Sequence, residues 1–155
     1  MATLYSFDTS SLLNGRRDLL PPEVFPTLWR SIEAMIDEGA IMAVDEVRNE
    51  LSRRDDEVCT WAKSQRNLFV PLDEDVQSAT RIVLAKHEKL MGVGGGRNAA
   101  DPFVIGLATA RDAAVVTEES RSGSLNKPRI PDVCDDLGVG CINLIGFVLE
   151  QGWSY

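Results

Sequence analysis

Leu4-Tyr5-Ser6-Phe7-Asp8-Thr9-Ser10-Ser11-Leu12-Leu13 is an apolar run stopped by a carboxylate and three small hydroxyl residues. Residues 3–7 have the apolar and aromatic content of a buried strand. In open α/β sheets ligands bind at the carboxyl ends of the strands, so such a strand aims Asp8 at the expected site of chemistry. Asp in this position also closes Asx turns and caps helices. The rest of the chain has to choose between the two roles.

Working outward, Asn14-Gly15-Arg16-Arg17 interrupts the pattern, and Pro21-Pro22 predicts a helix start. Val24, Leu28, Ile32, Met35 and Ile36 then recur at helical spacing, with Gly39 as the stop. Ile41-Met42-Ala43-Val44 reads as a second strand and Asp45 as the cap of a helix carrying Val47 and Leu51. A helix over 55–66 and a short edge strand at 68–70, closed by Pro71, follow. Residues 73–89 predict a helix with Val76, Ala79, Ile82, Val83 and Leu90 inward, and 91–98 are irregular and glycine-rich. Pro102 opens a further helix with Asp101 as its cap. Residues 113–117 are β-branched and strand-like, 121–129 form a loop, and 130–137, 140–142 and 144–151 read as helix, strand and helix. This alternation predicts an α/β fold, a parallel sheet with helices on both faces, in a single domain over 1–155.

Composition narrows the function. At 44% hydrophobic and 26% charged residues the chain is of the soluble globular kind, with no apolar run near the roughly 18 residues a membrane span requires. No basic-then-apolar leader opens it, and Cys59, Cys134 and Cys141 are odd in number and widely spaced. Reduced thiols in a cytoplasmic protein are expected. The net charge of -8 argues against a passive nucleic-acid binder. It is compatible with an enzyme that meets phosphates through divalent cations, since such sites are built from carboxylates.

On this scaffold four acidic positions fall near one sheet edge. Asp8 closes the first strand, Glu46 and Glu50 share a helix face after the second, Asp101 opens a helix, and Glu118-Glu119 follow Thr117 at the end of the 113–117 strand. Carboxylates so grouped repel one another unless protons or cations neutralise them. All-oxygen ligands suit Mg²⁺ or Mn²⁺, and the assembly suits phosphodiester hydrolysis. Capping, dipole and solvated-turn roles account for each acid taken singly.

These residues resemble the PIN-domain family, metal-dependent ribonucleases that include the VapC toxins of toxin–antitoxin pairs. Tyr5-Ser6-Phe7-Asp8-Thr9-Ser10 is similar to the family's first strand and first Asp, and Val47-Arg48-Asn49-Glu50-Leu51 to its Glu-bearing helix, which favours Glu50 over Glu46. Residues 98–108 are similar to the segment bearing the third acid, Asp101. Val115-Val116-Thr117-Glu118-Glu119 resembles the strand followed by Thr, any residue, then Asp, with Glu119 in the place of that Asp. Ile130-Pro131-Asp132-Val133-Cys134 resembles a less-studied PIN-like branch and suggests no mechanism.

The resemblance implies a PIN-like three-layer sandwich and an endoribonuclease with Asp8, Glu50, Asp101 and Glu119 as catalytic and Mg²⁺- or Mn²⁺-binding residues. Thr9, Ser10, Thr117, Glu46 and Glu118 are the supporting candidates, and the choice between Glu118 and Glu119 as fourth acid stays open. An RNA substrate, a cognate antitoxin and a homodimer are also implied.

Arg97, Arg121, Lys127 and Arg129 are candidates for RNA phosphate contact. The 92–97 segment lacks the Gly-Lys-Ser/Thr ending of a phosphate loop. His87, between Lys86 and Glu88, reads as a surface residue, and Trp29, Trp61 and Trp153 as core or interface. Two alternatives remain. One is a catalytically weak or inactive PIN-like interaction module, motivated by Glu119 and the acidic net charge. The other is a phosphatase similar to the haloacid dehalogenases, which normally want a second Asp where Ser10 stands.

Overall fold

The computed structural model describes residues 3–54, 56–91 and 99–155. Among them five strands, β1 (Tyr5–Phe7), β2 (Ile41–Val44), β3 (Phe69–Val70), β4 (Ala114–Val116) and β5 (Cys141–Ile142), pair in the order β3-β2-β1-β4-β5. Every pairing is parallel, with Tyr5 opposite both Ile41 and Ala114 and Phe7 opposite Val116. The helices are α1 (Thr9–Asn14), α2 (Pro26–Asp37), α3 (Asp45–Ser52), α4 (Glu57–Ser64), α5 (Glu74–Lys86), α6 (Asp101–Arg111), α7 (Ile130–Leu137) and α8 (Leu144–Gln151).

Strand alternation in β1 separates the two helical layers. Tyr5 and Phe7 point to one face, where the ring of Phe147 on α8 meets them edge-on at 4.8 and 5.2 Å. Ser6 points to the other, where its hydroxyl donates to the Val104 carbonyl of α6 at 2.9 Å. A strand covered on both faces is apolar except where a polar side chain finds a hydrogen-bond partner, as Ser6 does, and all four residues of β2 are apolar and buried. The expected three-layer sandwich, with a parallel sheet between two helical layers, is therefore present. Its strand order reverses direction between β1 and β4, the switch point at which open α/β sheets bind ligands.

Helices α5 and α6 approach closely because Gly106 has no side chain. A Cβ there would overlap the Thr80 hydroxyl and lie 3.0 Å from the Thr80 Cα. Gly106→Ala is expected to cost about 1–2 kcal/mol, overpacking outweighing the helix propensity that Ala adds. Calorimetry should show a melting temperature lower by roughly 3–6 °C. An unchanged or raised value would mean that the two helices separate without strain.

Several sequence expectations are corrected. Residues 14–17 do not interrupt the first helix: α1 runs into a π-helical turn (Gly15–Leu19), and Gly15 takes an ordinary αR conformation. Pro21-Pro22 starts no helix. Phe25, restricted by the proline after it, lies outside the helical region, and Pro26 occupies the first turn of α2. Val24 thus sits in the preceding turn and is 67% exposed. On α5 the inward face is Val76, Ala79, Thr80 and Val83, a strict i, i+3, i+4, i+7 set that leaves Ile82 outside and exposed. Val44, not Asp45, is the cap position of α3. His87 is not a surface residue: it ends α5 buried, with Nε2 2.7 Å from Asp136 Oδ2. Trp29 and Trp61 meet at 5.2 Å with the Arg16 guanidinium over both rings, as core tryptophans.

Candidate active site

The carboxyl ends of β1 and β4 and the first residue of α6 bring three acids together. One carboxylate oxygen each from Asp8, Asp101 and Glu119 lies within 4.8 Å of the other two. Asp8 occupies the cap position of α1, yet its side chain makes no capping hydrogen bond. Its main-chain carbonyl accepts from the Ser11 amide (3.2 Å) and hydroxyl (2.6 Å) in that role, which leaves the carboxylate for other partners. Asp101 is likewise no cap, since Ala100 holds that position and its carbonyl accepts from Phe103 and Val104. Asp101 is instead a buried first-turn residue.

Two hydroxyls fix Asp8. Ser10 Oγ donates to Asp8 Oδ2 at 2.7 Å, and Thr117 Oγ1 donates to the same oxygen at 2.8 Å. Each hydroxyl accepts from a main-chain amide, Glu118 N–H at 2.9 Å for Ser10 and Glu119 N–H at 3.1 Å for Thr117. The end of β4 is thereby registered on the carboxylate that ends β1. Thr9 serves a different acid, donating to Glu50 Oε1 at 2.8 Å. Glu50 stands half-buried on α3 and shares a cavity of ≈ 420 Å³ with Asp8, Asp101 and Glu119.

Burial and repulsion act together on these groups. Asp8 is raised above the ordinary carboxylate value by burial, with the Ser10 and Thr117 hydroxyls pulling it down, and Glu50 is raised by burial against the pull of Thr9. Asp101 is pushed up to about 9 by burial and by the charges of Glu119, Asp8 and Glu50. Glu119 rises to about 7 through burial and Asp8, with Arg129 opposing. No lysine or arginine among the described residues forms an ion pair with any of the four. Buried and half-buried all-oxygen donors with raised titrations and no ion pair among the described residues fit a hard divalent ion such as Mg²⁺ or Mn²⁺.

The remaining candidates divide. Glu46 sits on α3 one turn before Glu50, is absent from the cavity wall, and accepts only a 3.5 Å contact from Asn49. Glu118 turns away from the cluster, its Oε1 accepting from the Leu144 amide at 2.7 Å at the start of α8. Between the two glutamates, only Glu119 joins the cluster. Arg121 is held by Asp135 through Nε and Nη2 at 2.6 and 2.9 Å, which removes it as a ready phosphate contact. Lys127 is exposed in the 121–129 loop, Arg129 acts on Glu119 through its charge, and Arg97 lies outside the described residues.

Sequence reasoning missed Arg53 and Arg54, which line the cavity with the acids. Their signal was present: they follow Glu50 by three and four residues, the spacing of one helix face. The 130–134 stretch also acquires a role. The Asp132 carboxylate accepts from the amides of Ser122, Gly123 and Arg129 and from the Ser122 hydroxyl, tying down the loop after β4. Burial pushes this carboxyl up, but the hydrogen bonds outweigh it and hold it at about 2.

Residues 5–155 match the family described as "Domain of unknown function (DUF4411)". No curated protein matches the chain. Among solved structures, a chain of the DNA-bound VapBC complex from Salmonella typhimurium superposes with a TM-score of 0.56 at 13% identity, over 91% of this chain and 98% of that one. A chain of VapBC2 from Rickettsia felis, bound to a DNA fragment from their promoter, gives 0.53 at 14% identity with the same coverage of 91% and 98%. At these identities the likeness is one of fold, that of a VapC-like PIN domain.

Proposed function

The chain belongs to the DUF4411 family and has a VapC-like PIN fold, and from these premises we propose that it is a metal-dependent endoribonuclease, the toxin of a toxin–antitoxin pair. The observation that carries the reading is the convergence of Asp8, Asp101 and Glu119 oxygens within 4.8 Å. Asp8, Asp101 and Glu119 would hold Mg²⁺ or Mn²⁺, with Glu50 beside them on the cavity wall. Bound there, the ion would supply Lewis acidity and a counter-charge for a scissile phosphate. Ser10 and Thr117 orient Asp8 and leave its Oδ1 free of both hydroxyls. Thr9 orients Glu50, whose carboxyl burial raises above its ordinary value against the pull of that hydroxyl.

The neighbours' names extend the reading to partners. Both superposed chains come from VapBC complexes, so a cognate antitoxin is the proposed partner of this chain, and a homodimer its proposed assembly. Three free cysteines accord with action in the cytoplasm. The interaction-module alternative rests on Glu119 replacing Asp and on the acidic net charge, and of these the first loses weight because the longer side chain reaches the cluster. The phosphatase alternative gains nothing from Ser10, which is committed to Asp8.

Incubating the purified protein with single-stranded RNA and Mn²⁺ or Mg²⁺ tests the proposal. Cleavage is expected that stops on chelation and falls on the order of 10³-fold in Asp8→Asn. Absence of cleavage with either ion, together with no ion binding by calorimetry, would overturn it.

A further inference from the structure

The acid cluster lies between two cavities that differ in their cations. The first, of ≈ 420 Å³, carries Arg53 and Arg54 on its wall. The second, of ≈ 430 Å³, meets the first at Glu119 and runs beneath the start of α8, over Ile142 and Pro131. Its one lining cation is Arg121, which Asp135 holds bidentately. Among the residues lining the two cavities, the cations without an ion pair are thus on the α3 side, with Arg129 near Glu119 but on neither wall.

Four other arginines, Arg121 among them, already have an ion-pair or ring partner. Arg48, also on α3, lies over the Phe69 ring at 5.5 Å. Arg16 is buried between two tryptophans and bonded to Glu57, and Arg111 is paired with Asp73. Arg53 and Arg54 make no ion pair among the described residues, and both are exposed. A cation at a helix C-terminus is favoured by the dipole of that helix, and Arg53 is the C-cap residue of α3. That preference alone does not account for a second arginine beside it on the wall of the same cavity as four carboxylates.

We propose that Arg53 and Arg54 form the phosphate clamp of the substrate strand, gripping the backbone phosphates on the α3 side of the acid cluster while the strand continues over Glu119 toward α8. The inference rests on the nuclease reading for its substrate. Its chemistry requires only a single-stranded polyanion: two guanidinium forks present paired donors to phosphate oxygens, which carboxylates cannot do. The acids make this clamp necessary, because a protein of net charge -8 repels RNA unless positive charge is concentrated where the strand lies. The clamp reads no base, so binding should be sequence-tolerant at these two positions.

The test compares the wild type with Arg53→Ala/Arg54→Ala, Arg53→Lys/Arg54→Lys and, as a charge control, Arg81→Ala on the exposed side of α5. Cleavage of a single-stranded RNA oligonucleotide with Mn²⁺ is measured together with binding of a phosphorothioate-blocked strand across a salt series. The double alanine variant should raise KM on the order of tenfold with a smaller change in kcat, and flatten the salt slope by about 1.4, or roughly 0.7 per phosphate lost. The double lysine variant should restore the slope and only part of the affinity, and Arg81→Ala should match the wild type.

Wild-type cleavage with KM and slope unchanged in the double alanine variant would overturn the clamp and leave the nuclease reading standing. Arginine-dependent strand binding without cleavage would support the clamp while the nuclease reading fails. Neither binding nor cleavage by the wild type would overturn both.

Discussion

Asp101→Asn should make the metal-free protein more stable at about pH 8 while lowering Mn²⁺-dependent RNA cleavage on the order of 10³-fold. The two effects have one cause. Burial and the charges of Glu119, Asp8 and Glu50 push the Asp101 carboxyl up to about 9, so its charged form is disfavoured in the fold. In the unfolded chain the same carboxyl ionises near its ordinary value and is solvated, which favours unfolding by a few kcal/mol at about pH 8. Asn keeps the size of the side chain and removes the ionisation. A chain of this length should gain roughly 5–10 °C in melting temperature without metal. The carboxylate lost is also one of the three oxygens that would hold the ion, and an amide oxygen is a weaker, neutral ligand. A metal-free melting temperature at or below that of the wild type would show that Asp101 contributes its charge to stability, contrary to its burial.

Wild-type stability should fall as pH rises from about 5 to about 9 in the absence of divalent ions, and Mn²⁺ should remove most of that fall. A carboxyl whose folded titration lies above its unfolded one stabilises the fold below the unfolded value. It loses that contribution as pH rises through the folded value. Asp101 at about 9 and Glu119 at about 7 set the window, with Asp8 and Glu50 displaced in the same direction. Asp132, at about 2, has the opposite sign and adds stability above the ordinary carboxylate range that is lost only in stronger acid. An ion that binds the ionised cluster stabilises the native state by mass action, most where protons compete least. Thermal melts at pH 5, 7 and 9, with and without millimolar Mn²⁺, read the effect as a gap that widens with pH. A gap of constant size would mean that the ion binds away from these four acids.

Much of this site was legible in the sequence because strand ends are legible. The runs ending at Phe7 and Val116 are apolar and bounded by polar residues, so Asp8, Thr117 and Glu119 could be assigned to strand termini. What could not be read was the direction of each side chain. Glu118 and Glu119 are adjacent and chemically alike, and only the hydrogen bond from Leu144 to Glu118 separates their roles. Asp101 followed by Pro102 reads as a cap, because local sequence cannot reveal that Ala100 holds the cap position and that burial awaits the carboxylate. His87 stands between two charged residues, which suggests solvent. Its partner Asp136 is 49 residues away, and no periodicity announces such a pairing. The π-helical turn after α1 stands where the sequence predicts a break, and a Cβ on Gly15 within it would meet Leu144 and Trp29, neighbours that exist only in the assembled fold.

The hydrogen bond between Thr117 and Asp8 joins residues 109 positions apart. Long-range closures of this kind lose chain entropy before they are rewarded, so they form late in folding. A chain growing from the ribosome exposes Asp8 and Glu50 long before β4 exists, and it has neither Glu119 nor the hydroxyl that orients Asp8 until that strand docks. Assembly of the acid cluster is thus coupled to completion of the central sheet, and partly synthesised or truncated chains ending before β4 contain the first acids without the centre that they build.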